Sequence, residues 1–194
     1  KRKNNKIISK IISIKKINTL STLPKKKARQ DLKKIVLKRK NFLKNVNFSE
    51  PSIMGILNLT PDSFSDGGKF NEQKKAESHI FKMIKAGAKI IDVGGESTRP
   101  KSKIVPTNIE WKRIKNIVKN FKHKYKKTCL SVDTRKLKIM INSINFGADL
   151  INDVSGFNYE NQSLSKLKKH NVSKVLHHMQ GTPTTMQLNP KYKN

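Results

Sequence analysis

The stretch that decides the fold is IMGILNLTPDSFSDGG, residues 53–68. Its first five residues suit a short buried strand. An amide, two carboxylates, two serines, a proline and a glycine pair follow soon afterwards. Strand interiors do not need such residues, and an ordinary surface loop has no reason to use so many at once. The stretch therefore predicts a buried strand that leads directly into a loop with a chemical role.

From residue 53 onward, short apolar runs alternate with amphipathic helical patterns. Strands are predicted at residues 53–57, 89–93, 129–132, 149–151 and 174–176. Gly87 and Gly147 mark the ends of two of the intervening helices. Thr107 and Glu110 have the spacing of a capping box at the start of another helix. Strands and helices that alternate in this way predict parallel βαβ units.

Polar side chains stand at the end of every predicted strand. They are Asn58, Asp92 with Glu96, Asp133, Asn152 with Asp153, and His177 with His178. An open doubly wound sheet concentrates its site at one switch point, whereas a (β/α)8 barrel brings the C-terminal ends of all its strands to one mouth. The pattern therefore predicts an α/β fold of the (β/α)8 TIM barrel type. Such a barrel needs eight strands and about 250 residues, so we expect this chain to hold an incomplete barrel of about five βα units.

Residues 1–50 have a different composition from the rest. Residues 1–52 carry 17 basic and 2 acidic side chains, and Leu32, Ile35, Val36 and Leu43 fall at roughly helical spacing. We predict a basic extension or linker over residues 1–50 that is poorly ordered or partly helical. A barrel domain is predicted over residues 51–194. An organelle-targeting role and a link to an upstream domain remain open for the extension.

The charge of the chain is strongly positive. It has 194 residues, with 43 Lys and Arg against 13 Asp and Glu, and a formal net charge of +30. That balance alone is typical of nucleic-acid or anionic-surface binders. Only six of the basic residues are Arg, however, whereas base and phosphate recognition favours the bidentate guanidinium. Nucleic-acid binding is therefore not expected as the primary role.

Two further features bear on location. No apolar run approaches the roughly 20 residues needed to cross a bilayer, so no membrane association is expected. The single cysteine, Cys129, fits a reducing compartment. We expect a cytoplasmic protein, or an organellar one in a eukaryote.

The opening stretch resembles the first signature of dihydropteroate synthase, an enzyme family of folate synthesis. Four further motifs follow in the order of that family: DVGGESTRP at 92–100, SVDT at 131–134, INDVSG at 151–156 and HMQGTP at 178–183. The resemblance covers residues 53 to about 190 and does not extend into residues 1–50. It implies a transferase that joins p-aminobenzoate to a 7,8-dihydropterin hydroxymethyl pyrophosphate, giving dihydropteroate and pyrophosphate.

The resemblance also implies roles for the residues of the strand ends. Asp133 and Asn152 match the positions that read the pterin, and a carboxylate and an amide suit its flat edge of donors and acceptors. Asn58 matches the position that contacts a Mg²⁺ ion. Thr98 and Arg99 match a mobile loop that helps to build the p-aminobenzoate and pyrophosphate sites.

The resemblance places four further catalytic residues in the first loop. They are Asp62, Phe64, Ser65 and Asp66. In the family this loop closes over the reacting centre of the pterin, and closure that excludes water protects an electrophile from hydrolysis.

The chain also departs from the family pattern. Lys101 stands where the family usually has Gly after Arg99-Pro100. The family's sixth-strand Asp, its later Lys motif and its Arg-x-His pair are not found, so the fragment alone is expected to be inactive. A non-catalytic pterin-binding barrel and a methyltetrahydrofolate-binding barrel remain as alternatives. For the full-length protein, the resemblance implies a homodimer and suggests sensitivity to sulfonamides.

Overall fold

The structure is a computed structural model. It describes residues 2–3, 6–7, 11–37, 43, 45–60, 69–97, 102–178, 180–182, 185–186 and 191. The chain divides into two compact units, Lys1–Lys40 and Asn41–Asn194. Over the described ranges, no helix has both the length and the apolar character that a membrane span needs.

The first unit contains a short antiparallel strand pair and a helix. Its elements are β1 (Arg2–Lys3), β2 (Lys6–Ile7), a 3₁₀ turn at Ile14–Thr19 and helix α1 (Thr22–Val36). Helix α1 buries none of its residues, and its apolar side chains Leu23 and Ile35 are exposed. Of the residues noted at helical spacing, Leu32, Ile35 and Val36 do lie in a helix, which buries none of its residues, whereas Leu43 lies outside it.

The described part of the second unit alternates strands and helices between Met54 and Leu176. In order, they are β3 (Met54–Asn58), α2 (Lys69–Lys85), β4 (Ile90–Gly94), α3 (Thr107–Lys124), β5 (Cys129–Asp133), α4 (Leu137–Asn145), β6 (Leu150–Asp153), α5 (Ser163–Leu167) and β7 (Ser173–Leu176). The five predicted strands are confirmed, each shifted by no more than one or two residues at its ends. As a result, five of the polar residues predicted at the strand ends lie within the strands and share their register, whereas three follow the strands, namely Glu96, His177 and His178.

The five strands form one parallel sheet in the order β3-β4-β5-β6-β7. Each strand thus pairs with its neighbour in sequence. A doubly wound sheet reverses its strand order at a switch point, whereas a (β/α)8 barrel adds each strand beside the last. The strand order therefore supports the predicted barrel architecture over the open sheet.

The two faces of the sheet pack against different partners. One face packs under the helices in the main core, where the largest fully buried side chains include Ile91 and Leu130 of the strands and Ile80, Ile114 and Phe121 of the helices. The other, inner face has a smaller apolar cluster that contains Ile90, Cys129, Leu150, Leu43 and Val46. Among the described residues of this unit, helices therefore pack on one face of the sheet, as in the wall of a barrel.

The glycines predicted to end two helices do so. Gly87 and Gly147 follow α2 and α4 with φ values of +105° and +90°, a conformation that favours glycine. At the start of α3, by contrast, the predicted capping box is wrong, because no side chain caps that end. Glu110 is instead fully buried and accepts hydrogen bonds from Thr134 and Lys136, since a charge-assisted bond in the interior is stronger than a cap in solvent.

The barrel unit begins before its predicted start at residue 51. Leu43 and Val46 are 3% and 2% exposed and pack against Ile90, Cys129 and Leu150. Those three residues are the first of β4, β5 and β6. The segment before β3 therefore covers the N-terminal end of the inner face, opposite to the predicted site.

This packing predicts the effect of truncating Leu43. We expect Leu43→Ala to lower the free energy of unfolding by about 2–4 kcal/mol, because it leaves a cavity at the foot of the sheet. Leu23→Ala is the matched control: Leu23 is 80% exposed in α1, and a change there is expected to stay within about 0.5 kcal/mol. Urea unfolding followed by the fluorescence of Trp111 measures both. Equal effects of the two substitutions would contradict the assignment of Leu43 to the barrel unit.

Candidate functional site

Strand register brings three of the predicted site residues into one row. Asn58 pairs with Gly94, Gly94 with Asp133, and Asp133 with Asn152. Residues paired in a parallel ladder point to the same face of the sheet. The predicted metal-contacting residue and the two predicted pterin-reading residues therefore lie along one edge, at the C-terminal ends of β3, β5 and β6.

Gly94 leaves a gap in the middle of this row. A Cβ added at Gly94 would lie 3.4 Å from Asn58 Oδ1 and 3.6 Å from Asp133 Oδ2. Any side chain here would occupy the space between the two polar groups. The glycine thus keeps the row open to a flat ligand that approaches the backbone of β4.

Asp92 lies one layer deeper on the same face and contacts Asn152. It is 5% exposed, and Asn152 Nδ2 donates a hydrogen bond to Asp92 Oδ2 at 3.1 Å. Because a carboxylate only accepts, this bond fixes the orientation of the amide and turns its oxygen away from Asp92. Burial raises the pKa of Asp92, while the hydrogen bond from Asn152 opposes the rise.

Asp133 is the titratable group of the row. Burial raises its pKa to about 7, and the negative charge of Asp92 is the next cause. Glu110, Asp153 and Glu96 add to the rise. Near neutral pH, Asp133 therefore exists as a mixture of the protonated and ionised forms, and only the ionised form offers both oxygens as acceptors.

Asp153 shapes the turn that follows β6. Its Oδ1 accepts hydrogen bonds from the backbone and hydroxyl of Ser155 at 2.8 and 2.7 Å, and its Oδ2 accepts one from the Phe157 backbone at 3.0 Å. Phe157 has a φ of +65°, a conformation that these bonds help to hold. Asp153 therefore stabilises this turn, and its charge acts on Asp133 of the row by electrostatic interaction.

Six predicted site residues fall outside the described part of the chain. Four belong to the loop at 61–68, namely Asp62, Phe64, Ser65 and Asp66, and two to the segment at 98–101, namely Thr98 and Arg99. Their roles stay predictions. The strands that lead to these segments are described: β3 ends at Asn58, and β4 ends at Gly94.

A buried ionic cluster beside the row was not recognised in the sequence. Glu96 accepts hydrogen bonds from Arg135 Nε at 2.9 Å and from Lys136 Nζ at 3.1 Å. Lys136 also pairs with Glu110, which accepts a 2.6 Å bond from the Thr134 hydroxyl. Burial alone would raise the pKa of Glu96, but the hydrogen bond from Arg135, with those from the Val105 backbone and Lys136, holds it below its usual value.

The sequence offered little signal for this cluster. Its two cations directly follow the SVDT motif, but two basic residues in a chain with 43 do not stand out. It is the burial of the two cations in the structure that distinguishes them, because Arg135 is 7% and Lys136 3% exposed. A cation is rarely buried without a partner of opposite charge.

A pocket of about 530 Å³ lies on the helix α2 side of β3. It reaches Asn58 and is otherwise lined by Ile56, Leu57, Lys75, Ser78, His79 and Lys82. None of the residues that line it belongs to β5 or β6. We therefore take the row on the inner face, and not this pocket, as the candidate site.

Known proteins match the chain over the barrel unit. The family described as pterin binding enzyme matches residues 54–194. The dihydropteroate synthase of Haemophilus influenzae is 43% identical over 152 residues, which are 78% of this chain and 54% of that protein. The chain thus spans about half the length of the curated relatives it matches.

Solved structures of dihydropteroate synthases also match this chain. The Yersinia pestis dihydropteroate synthase, in complex with a sulfonamide drug, superposes with a TM-score of 0.69 at 41% identity, over 77% of this chain and 54% of that one. The Burkholderia cenocepacia dihydropteroate synthase, complexed with 7,8-dihydropteroate, gives a TM-score of 0.62 at 35% identity, over 76% of this chain and 49% of that one. The predicted TIM barrel is thereby confirmed for the part of the barrel that this chain forms. With a family match from β3 to its last residue and the site row on the matching strands, the chain belongs to the pterin binding enzyme family.

Proposed function

We propose that this chain provides the pterin-reading half of a dihydropteroate synthase. The observation that supports this most is the position of Asp133, which pairs with Asn152 on one neighbouring strand and with Gly94 on the other. The gap above Gly94 leaves room for a ligand beside the two polar side chains. Two relatives that are 43% identical to this chain are named dihydropteroate synthase, and this supports the same activity as the best candidate for the protein.

The proposed substrate is a 7,8-dihydropterin with a hydroxymethyl pyrophosphate group. The ionised carboxylate of Asp133 would accept two hydrogen bonds from the N–H groups of the pterin edge. The oxygen of Asn152, turned away from Asp92, would accept a further one. Asp92 would therefore act on the ligand by fixing the amide of Asn152.

The proposed reaction is a displacement at the exocyclic carbon of the pterin. The amine nitrogen of p-aminobenzoate forms a bond to that carbon, the C–O bond to diphosphate breaks, and the amine loses a proton. Diphosphate leaves with the bonding electron pair. Thr98 and Arg99 are proposed to bind it and p-aminobenzoate, while Asp62, Phe64, Ser65 and Asp66 exclude water from the electrophilic carbon.

The residues of the row fit a Mg²⁺ ion as the proposed cofactor. Within the described residues, no group of three or more His, Cys, Asp or Glu could hold a metal by itself. Asn58 supplies one amide oxygen at the end of β3, and Mg²⁺ commonly takes few protein ligands and completes its shell with water and substrate phosphates. When bound, the ion would neutralise charge on the leaving diphosphate.

Other features of the working protein are proposals from the same resemblance. We propose a cytoplasmic homodimer that is inhibited by sulfonamides, which compete with p-aminobenzoate. The sulfonamide complex of the Yersinia pestis relative supports the last of these. A non-catalytic pterin binder is the second candidate, because the described row offers hydrogen-bond partners for a pterin, while the residues proposed to act on the second substrate lie outside the described part of the chain.

A chimera tests the proposed activity directly. In it, residues 53–194 replace the matching part of the Haemophilus influenzae dihydropteroate synthase. We expect the purified chimera to form dihydropteroate from the two substrates, and the same chimera with Asp133→Asn to lose at least about 100-fold in kcat/KM, since a charged hydrogen-bond partner is removed. A folded chimera that binds the pterin but makes no product would favour the non-catalytic candidate. One that binds no pterin would refute both.

The raised pKa of Asp133 predicts how pterin binding depends on pH. The ionised form is the one that accepts from the ligand, and with a pKa of about 7 it is lost as the pH falls. We expect the affinity of the 194-residue chain for 6-hydroxymethylpterin to fall from about pH 8 to pH 5.5, approaching tenfold per unit below neutrality.

Fluorescence titration measures this dependence, with two variants as comparisons. Asp133→Asn should bind more weakly and show a flatter profile, because the titrating group is gone. Asp31→Asn removes an exposed carboxylate in α1 and should match the unmodified chain. A profile that keeps its slope in Asp133→Asn would show that another group controls binding.

The gap at Gly94 predicts a variant that separates binding from folding. We expect Gly94→Ala to keep its melting temperature within a few degrees, because the new methyl group meets nothing closer than 3.4 Å. Its affinity for the pterin should fall by at least about tenfold, since the methyl group enters the space of the ligand.

Gly147→Ala is the matched control for this substitution. Gly147 has a φ of +90° and ends α4, so alanine there should lower stability by about 1 kcal/mol and leave affinity unchanged. Calorimetry and fluorescence titration give the two quantities. Undiminished affinity in Gly94→Ala would mean that the ligand does not enter the row.

A further inference from the structure

The inner face of the sheet is built in layers, and a carboxylate stands in the middle one. Strand pairing places four residues of this layer side by side, namely Ile56, Asp92, Ser131 and Leu150. The layer lies directly below the candidate row, because its residues stand two positions earlier along each strand. Bulky branched apolar side chains usually fill such positions in a barrel. Asp92 therefore needs an explanation other than packing.

The carboxylate of Asp92 has little to offset the cost of its burial. It is 5% exposed, and its Oδ2 accepts the hydrogen bond from Asn152 Nδ2 at 3.1 Å. Its Oδ1 is buried and has no hydrogen-bond partner among the described residues. A buried polar atom without a partner is destabilising, and an apolar residue of similar volume avoids that cost. This indicates that the role of Asp92 lies in its bond to Asn152 and not in stability.

The bond from Asn152 to Asp92 spans the strand that carries Asp133. Asn152 stands on β6 and Asp92 on β4, and β5 lies between them. By itself, a side-chain amide can rotate by half a turn, which exchanges its donor and its acceptor at nearly the same positions. The ionised carboxylate of Asp92 prevents this exchange, because it accepts hydrogen bonds and repels the amide oxygen. Asn152 is thus locked in one of its two orientations.

The locked amide gives this part of the row a single hydrogen-bonding character. Between Gly94 of β4 and Val175 of β7, the polar side chains of the row are those of Asp133 and Asn152. The ionised Asp133 only accepts, and the oxygen of Asn152 is the amide atom turned away from Asp92. Both side chains therefore favour N–H donors on a ligand, and two neighbouring acceptors disfavour a carbonyl group that faces them.

We propose that Asp92 is a positioning residue that sets substrate specificity, by holding Asn152 as an acceptor so that the row selects heterocycles with an amino group over those with a carbonyl in its place. This rests on the proposed function and names the feature of the pterin that the row selects. A pterin carries N–H donors at its 2-amino group and at the adjacent ring nitrogen. In a lumazine, a 2-oxo group replaces the 2-amino group, and an acceptor then faces acceptors.

The test compares the two heterocycles as ligands of the 194-residue chain. Fluorescence titration with 6-hydroxymethylpterin and 6-hydroxymethyllumazine at about pH 7.5 gives the two affinities. We expect the unmodified chain to prefer the pterin at least about 100-fold. In Asp92→Asn, the new amide can donate to the oxygen of Asn152, whose nitrogen then turns toward the ligand. The preference should fall at least about tenfold, with tighter binding of the lumazine.

Ser131→Ala is the matched control. Ser131 pairs with Asp92 in the same layer and is also buried. Its replacement removes a polar group from the layer but leaves the bond between Asn152 and Asp92 intact. We expect the preference for the pterin to stay within about twofold of the unmodified chain.

An exchange of the two bonded residues supplies a rescue. In the double variant Asp92→Asn with Asn152→Asp, the amide on β4 donates to the carboxylate on β6, which can only accept. The preference for the pterin should return to within about tenfold of the unmodified chain. Because the buried hydrogen bond is kept, this variant tests the proposal even if Asp92→Asn alone does not fold.

A measurement without ligand tests the lock itself. Nuclear magnetic resonance follows hydrogen exchange of the Asn152 side-chain amide in the free chain. We expect this exchange to be at least about tenfold faster in Asp92→Asn than in the unmodified chain, because the hydrogen donated to Asp92 is released.

Three outcomes would overturn the proposal. Equal losses of affinity for the two ligands in Asp92→Asn would show only a general loss of stability. A double variant that folds but does not recover the preference would show that the lock does not set it. In both cases, tight binding of the pterin by the unmodified chain would leave the proposed function standing. An unmodified chain that protects the Asn152 amide but binds neither ligand would refute the proposed function, and the specificity role of Asp92 with it.

Discussion

The parallel register of β3 to β7 is the constraint on which the rest of the structure depends. Side chains alternate between the two faces of a strand, so a slip of one residue would exchange the apolar set that packs under the helices with the polar set of the inner face. In the observed register, Asn58, Gly94, Asp133 and Asn152 fall side by side. The main core and the candidate site are thus two results of the same strand pairing.

The second organising feature is the placement of the few acidic residues. The chain has only 13 Asp and Glu against 43 Lys and Arg, yet Asp92, Glu96, Glu110 and Asp153 are all buried near Asp133. Of the described basic residues, only Arg135 and Lys136 are buried, and both pair with carboxylates of that interior. A chain with a net charge of +30 can therefore contain a carboxyl group, Asp133, whose pKa is raised by burial and, in addition, by surrounding negative charge.

The candidate row stands on β3, β4, β5 and β6, whose backbones are held by the ladder. The corner after β5 gains further support from the buried pairs of Glu96 with Arg135 and Lys136, at the cost of removing these charges from water. Strands with a buried polar support of this kind hold the side chains of a site in a fixed relation.

By itself, the sequence determined the elements, the family and the composition of the site row. Local patterns are sufficient for these, because period-2 and period-3.6 apolar spacing, stop glycines such as Gly87 and Gly147, and motifs of consecutive residues are all contained in short windows. Only the tertiary structure decided which charges are buried. Glu110 had the spacing of a capping residue but turned inward to Lys136, and Leu43 and Val46 joined the barrel from within a basic extension. Each of these depends on partners distant in the sequence, and a pairing between distant residues leaves no periodic mark in the chain that makes it.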